Sequence, residues 1–125
     1  MASEVSKKIL IGEDEKPLAR TMNIKLTKAG FLVTVAYNGE EALAATEQEQ
    51  FDLIILDIMM PKMDGFTVLE KLRANGDDTP VMVTSNLSQP EDEKKAKELG
   101  AQEYFIKSNT SLVEIVDHVT KILAI

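Results

Sequence analysis

Five short apolar runs alternate with segments of helical period along this chain, and that alternation restricts the fold more than any other feature. The runs are Ile9–Ile11, Leu32–Ala36, Leu53–Leu56, Val81–Val83 and Tyr104–Ile106. Four of them are nearly continuous, as expected for strands covered on both faces. The second carries Thr34 at its centre, alternates more, and suits the edge of a sheet. Five strands interleaved with five helices predict a parallel sheet with right-handed crossovers. At 125 residues the chain is long enough for one such domain with a single conventional core.

The helical segments carry their own start and stop signals. Leu18, Met22, Leu26 and Ala29 share one face after Pro17, a first-turn proline, and Gly30 supplies the stop. Asn38 is placed to cap a second helix with Glu41 at its third position, burying Ala42, Leu43 and Ala45. Phe66, Leu69 and Leu72 form a third stripe closed by Asn75-Gly76. Ser88 with Glu91, around Pro90, reads as a capping box for a fourth helix ending at Gly100. Ser111 with Glu114 repeats that signature before Leu112, Ile115, Val116, Val119 and Ile122. The fourth helix has almost no apolar residues besides Ala96 and Leu99, so it is expected to dock loosely.

Bulk properties remove several classes of function. The absence of cysteine excludes disulfide frameworks and thiolate metal sites, and fits a reducing cytoplasm. The apolar runs are strand-sized, too short to span a bilayer, and Met1 to Lys8 has no apolar core of a secretion signal. A net charge of −7 argues against a phosphate backbone as partner. Lys94, Lys95 and Lys97 do not build a basic patch, because they sit among Glu91, Asp92, Glu93 and Glu98.

Chemistry is concentrated at the C-terminal ends of the strands, where parallel sheets place their ligands. Glu13, Asp14 and Glu15 follow the first run. Adjacent carboxylates repel unless solvated, protonated or neutralised, and hard oxygen ligands without histidine or cysteine favour Mg²⁺ or a similar ion. The same loop opposes a bare phosphate and so counts against a flavin or nucleotide cradle. Asp57 ends the third run and is suited to act as a nucleophile that forms an acyl phosphate. Met59-Met60-Pro61-Lys62-Met63-Asp64-Gly65 then turns the chain. Pro61 fixes one φ angle and Gly65 permits a positive φ after Asp64, while the three methionines read as packing. At the end of the fourth run either Thr84 or Ser85 offers a hydroxyl, and Lys107 ends the fifth with a compact cation. Each placement alone is a common surface feature; their agreement is what describes a phosphoryl-transfer site. The lone His118 has no partner at ligand spacing and is assigned no role.

These residues resemble the receiver domain of two-component response regulators, over Lys8 to Leu123, with Asp57 to Gly65 (DIMMPKMDG) as the most specific stretch. The resemblance implies a flavodoxin-like (βα)5 doubly wound sandwich with strand order 2-1-3-4-5. It implies Mg²⁺ (or Mn²⁺) held by Asp14, Asp57 and the carbonyl of Met59, with Glu13 acting through water. It further implies that Asp57 takes a phosphoryl group from a histidine kinase or histidine phosphotransfer protein. Ser85 and Lys107 would then move onto the phosphoryl oxygens and Tyr104, the aromatic switch position, would turn inward. The face made by the fourth helix, fifth strand and fifth helix would change shape for a downstream protein target.

Three positions depart from that family's pattern. Glu13 replaces the commoner aspartate, Asn86 stands where a small residue is preferred, and Ser108 follows Lys107 where proline in a cis bond is usual. A cis bond before serine costs about 2.5–4 kcal/mol, so a trans peptide and a shifted following loop are expected. The reading is a stand-alone receiver over residues 1–125, core about 8–123, with no effector domain, acting in the cytoplasm through protein contacts. It would catalyse only its own phosphorylation and dephosphorylation. Alternatives are a pseudo-receiver that is never phosphorylated, a receiver cut from a longer hybrid kinase or regulator, and an aspartate-nucleophile phosphohydrolase. The last usually needs a second acid two residues after the nucleophile, where this chain has Met59.

Overall fold

The computed structural model describes residues 6–87 and 89–123. The strands are β1 (Lys8–Gly12), β2 (Leu32–Ala36), β3 (Leu53–Asp57), β4 (Val81–Ser85) and β5 (Glu103–Ile106). The helices are α1 (Lys16–Lys28), α2 (Gly39–Gln48), α3 (Gly65–Ala74), α4 (Pro90–Glu98) and α5 (Leu112–Leu123). All strand pairs are parallel, as the alternation predicts, and the sheet order is β2-β1-β3-β4-β5, the doubly wound order that the resemblance implies.

Period-two alternation divides the sheet between two cores. Leu10, Ile54, Leu56, Val81 and Val83 face one layer with Ala42, Leu69, Leu72 and Ala96 of α2, α3 and α4. Ile9, Ile11, Leu53, Ile55 and Met82 face the other, with Met22, Leu26, Ile115 and Val119 of α1 and α5. Every residue of β3 and β4 is buried, which is why their sequences show no polar alternation. Each such aliphatic side chain stabilises the fold by about 1.5–3 kcal/mol relative to exposure. β2 is the expected edge. β5 is the other edge, and its four residues are only half-buried despite the apolar run Tyr104-Phe105-Ile106.

Three helix starts follow from side-chain chemistry. The Asn38 side chain accepts from the Glu41 amide at 2.8 Å, and Glu41 Oε1 accepts from the Tyr37 amide at 2.9 Å. Ser111 and Glu114 form the reciprocal pair expected of a capping box. Asp64, not recognised as a cap from the sequence, accepts from the Thr67 amide at 2.8 Å and starts α3. The capping box assigned to Ser88 lies outside the described residues; α4 begins after Gln89, which makes no side-chain cap bond. Gly30, at φ 104°, ends α1 in the left-handed conformation that other residues avoid. Within α4 only Ala96 is buried, as expected of a loosely docked helix. Lys95 adds a polar tether by standing 4.4 Å from the centroid of the Phe66 ring.

Parallel register aligns the strand ends. Gly12 lies opposite Leu56, Asp57 opposite Thr84, and Ser85 opposite Ile106. The residues just beyond these positions therefore meet along one edge of the sheet.

Candidate phosphoacceptor and metal site

The first component is the loop after β1. The Glu13 amide donates to the Ala36 carbonyl at 3.0 Å, so the loop is anchored to the end of β2. This anchor turns the Glu13 side chain inward, where it is 1% exposed. Its Oε2 accepts from the Glu15 amide at 3.1 Å. Its Oε1 lies 2.8 Å from Lys107 Nζ as an ion pair but has no aligned hydrogen bond. Burial raises the Glu13 carboxyl from an ordinary 4.5 to about 7; Lys107 opposes the rise and the nearby Asp57 charge adds to it.

Asp57 sits at the end of β3 and is 2% exposed. Its Oδ1 accepts from the Met59 amide at 3.2 Å, and its Oδ2 faces Lys107 Nζ at 3.1 Å. Burial pushes its carboxyl up, against the pull of Lys107. The turn that follows is held by the Ile58 carbonyl, which accepts from the amides of Met60 and Gly65 at 3.1 and 2.8 Å. The backbone of this turn differs from the sequence expectation. The positive φ, 69°, falls on Lys62, and Gly65 is instead the first residue of α3. Glycine is required there by space, because a Cβ would collide with the Asp57 carbonyl oxygen and approach the Ile58 Cα at 2.9 Å. The packing assigned to the methionines also needs division. Met60 is in the core and Met63 packs against it, whereas Met59 is 59% exposed.

Lys107 completes the cluster from the end of β5. Its ammonium, 12% exposed, meets Glu13, Asp57 and, at 3.2 Å, Glu15. Burial alone would depress its pKa, but Glu13 and Asp57 outweigh that and raise it, so the side chain stays charged. The Lys107–Ser108 peptide is trans, as expected, and the chain enters a single turn of 3-10 helix (Lys107–Asn109).

The two hydroxyls at the end of β4 part company. Thr84 and Lys107 line a cavity of about 100 Å³ under α1 and α5, bordered by Leu18, Met22 and Ile115. Ser85, fully buried, turns to the loop after β4, where its Oγ accepts from the Leu87 amide at 2.9 Å. Tyr104 joins the same loop by donating to the Leu87 carbonyl at 2.8 Å. Burial raises the Tyr104 hydroxyl pKa against the pull of Ser85, the Asp92 and Glu93 charges add to the rise, and the hydroxyl stays a neutral donor. The site residues thus form two groups: Glu13, Asp57 and Lys107 in contact with Asp14 beside them, and Ser85 with Tyr104 joined through Leu87. His118 has a structural contact, its ring 4.8 Å from Phe105 in an edge-on arrangement. A wider cavity, about 630 Å³, opens between Phe51 and Pro80 at the opposite end of the strands and shares none of these residues.

One carboxylate oxygen each from Glu13, Asp14 and Asp57 lie within 4.8 Å of one another. An all-oxygen donor set, buried on two of its three members and with Glu13 Oε1 lacking an aligned donor, fits a hard divalent cation. Lys107 is the only cation among the described residues that meets this cluster, so negative charge remains in excess.

Residues 9–120 match the profile of the response regulator receiver domain, and the chain belongs to this family of two-component signalling proteins. It is 41% identical over 116 residues to the transcriptional activator protein IrlR of Burkholderia pseudomallei, covering 93% of this chain and 50% of that protein. It is 38% identical over 100 residues to the transcriptional regulatory protein PcoR of Escherichia coli, covering 80% and 44%. The chain therefore spans about half the length, or less, of these curated relatives. Among solved structures, the receiver domain of Francisella response regulator 1452 superposes with a TM-score of 0.89 at 30% identity, covering 95% of this chain and 98% of that one. Chemotaxis protein CheY4 of Vibrio cholerae gives 0.87 at 27% identity, covering 94% and 99%. No helix among the described residues is long and apolar enough to cross a membrane.

Proposed function

We propose that this receiver accepts a phosphoryl group on Asp57 from a phosphohistidine of a histidine kinase or histidine phosphotransfer protein. A carboxylate oxygen of Asp57 forms the new O–P bond as the P–N bond breaks, the electron pair leaving with the imidazole and an acyl phosphate remaining on the protein. The observation that carries this reading is the buried Asp57 carboxylate, fixed by the Met59 amide and Lys107 beside two further carboxylates. Glu13, Asp14, Asp57 and the Met59 carbonyl would hold Mg²⁺ or Mn²⁺. When bound, that cation supplies neutralising charge for the phosphoryl oxygens. Lys107 supplies a second positive charge, and Ser85 a neutral donor, since its Oγ accepts from the Leu87 amide and its O–H remains free to donate.

Catalysis is confined to the protein's own phosphorylation and dephosphorylation, and exposed Met59 with Leu87 hinders water from reaching the acyl phosphate. Output passes through the α4-β5-α5 face to a protein target in the cytoplasm, without direct contact to nucleic acid or membrane. The face is reached through Tyr104, which already bridges β5 to the loop before α4.

The test is intact mass after incubation with acetyl phosphate, with and without Mg²⁺, beside Asp57→Asn. A Mg²⁺-dependent gain of one phosphoryl group in the parent chain, absent in Asp57→Asn, is expected. No gain in the parent chain would favour a pseudo-receiver, with Asn86 and Ser108 as the departures responsible.

A further inference from the structure

Glu15 stands outside the group of carboxylates placed to hold a cation, yet its side chain pairs with Lys107 of the same site. It is the N-cap of α1, and its side chain makes no bond to an amide of the first helical turn, as Asp, Asn, Ser or Thr would there. Instead Glu15 Oε1 reaches Lys107 Nζ at 3.2 Å, while the Glu15 amide holds Glu13 Oε2. Glu15 is 59% exposed and Glu13 and Asp57 are almost fully buried, so the Lys107 ammonium sits between an outer anchor and two inner ones.

The inner anchors are also the residues that would hold the divalent cation. A cation there and the ammonium compete for Glu13 and Asp57, since like charges at such distances repel strongly in a partly buried site. We infer that Glu15 is a positioning residue that receives the Lys107 ammonium when a divalent cation occupies Glu13, Asp14 and Asp57, and so favours cation entry. This rests on the metal reading given above. Without the Glu15 carboxylate, Lys107 has only the inner carboxylates as partners and competes more strongly for them. Glu15→Gln is therefore expected to weaken cation binding even though position 15 lies outside the ligand set.

The experiment is calorimetric titration of the whole chain with MgCl₂ at fixed ionic strength, without any phosphodonor. It compares the parent, Glu15→Gln, Lys107→Met and the double variant. The expected result is about three- to fivefold weaker binding for Glu15→Gln in the parent background, the size of an exposed ion pair. In the Lys107→Met background the same change should shift affinity by less than about 1.5-fold, because the effect acts through the ammonium. Equal affinities of parent and Glu15→Gln would refute the inference while leaving the cation site intact. An undiminished loss in the Lys107→Met background would also refute it, by showing simple charge attraction. No Mg²⁺ binding by the parent chain would overturn the metal reading and this inference together.

Discussion

The raised Glu13 carboxyl makes the metal-free fold sensitive to pH in an unusual direction. Between the ordinary carboxyl value of 4.5 and about 7, the native protein holds a proton that the unfolded chain has released. The unfolded state then binds fewer protons, so stability must fall as pH rises through this window. At about 1.4 kcal/mol for each pH unit, the limit for Glu13 alone is about 3 kcal/mol, a large part of an ordinary domain's stability. Asp57, also pushed up by burial, acts with the same sign. Urea unfolding at pH 5, 6, 7 and 8 in EDTA measures this directly. The parent is expected to lose about 2–3 kcal/mol across the series, and Glu13→Gln less than half of that. Excess Mg²⁺ at pH 8 should restore stability to the parent, since a ligand binding only the native state shifts the equilibrium toward it. Stability that rises from pH 5 to 8, or parallel profiles for parent and Glu13→Gln, would refute the account of Glu13 as a carboxylate held against its burial.

Two further outcomes depend on single contacts. Tyr104→Phe removes the donor to the Leu87 carbonyl and should lower stability by about 1 kcal/mol; hydrogen exchange should quicken at Leu87 with little change in β3. Gly39→Ala places a Cβ against the Met63 carbonyl oxygen, pushing α2 from the turn after β3, and thermal unfolding should fall by several degrees.

The strands and strand ends were legible because their signals are local. Leu53-Ile54-Ile55-Leu56 has the length and branching of a buried strand, and the Asp that follows stands at the strand's end. Asn38 and Ser111 announced two helices through short-range capping. What was not legible depends on approaches between distant segments. Gly65 looked like a residue needing an unusual φ, but the constraint is the Asp57 carbonyl against which it packs. Lys62, the residue that takes the positive φ, carries no sequence mark of it. The apolar β5 read as covered on both faces, although its place at the sheet edge leaves it half-exposed. Glu15 appeared as one more member of an acidic loop. Its pairing with Lys107 spans 92 positions and depends on how β1 and β5 end along one edge. Likewise the run ending in Thr84-Ser85 does not show that Thr84 lines the cavity under α1 and α5 while Ser85 turns to the loop after β4.

The burial of α4 through Ala96 alone has an energetic consequence. A methyl side chain forfeits roughly 1 kcal/mol when drawn from a core, far less than a leucine would. Moving a two-state equilibrium from 1:99 to 99:1 requires about 5.5 kcal/mol of differential binding. With so little apolar anchorage to give up, this helix can be reshaped at small cost. A leucine in place of Ala96 would overfill a site that is already fully buried, so the small side chain is what lets this wall of the domain both close and move.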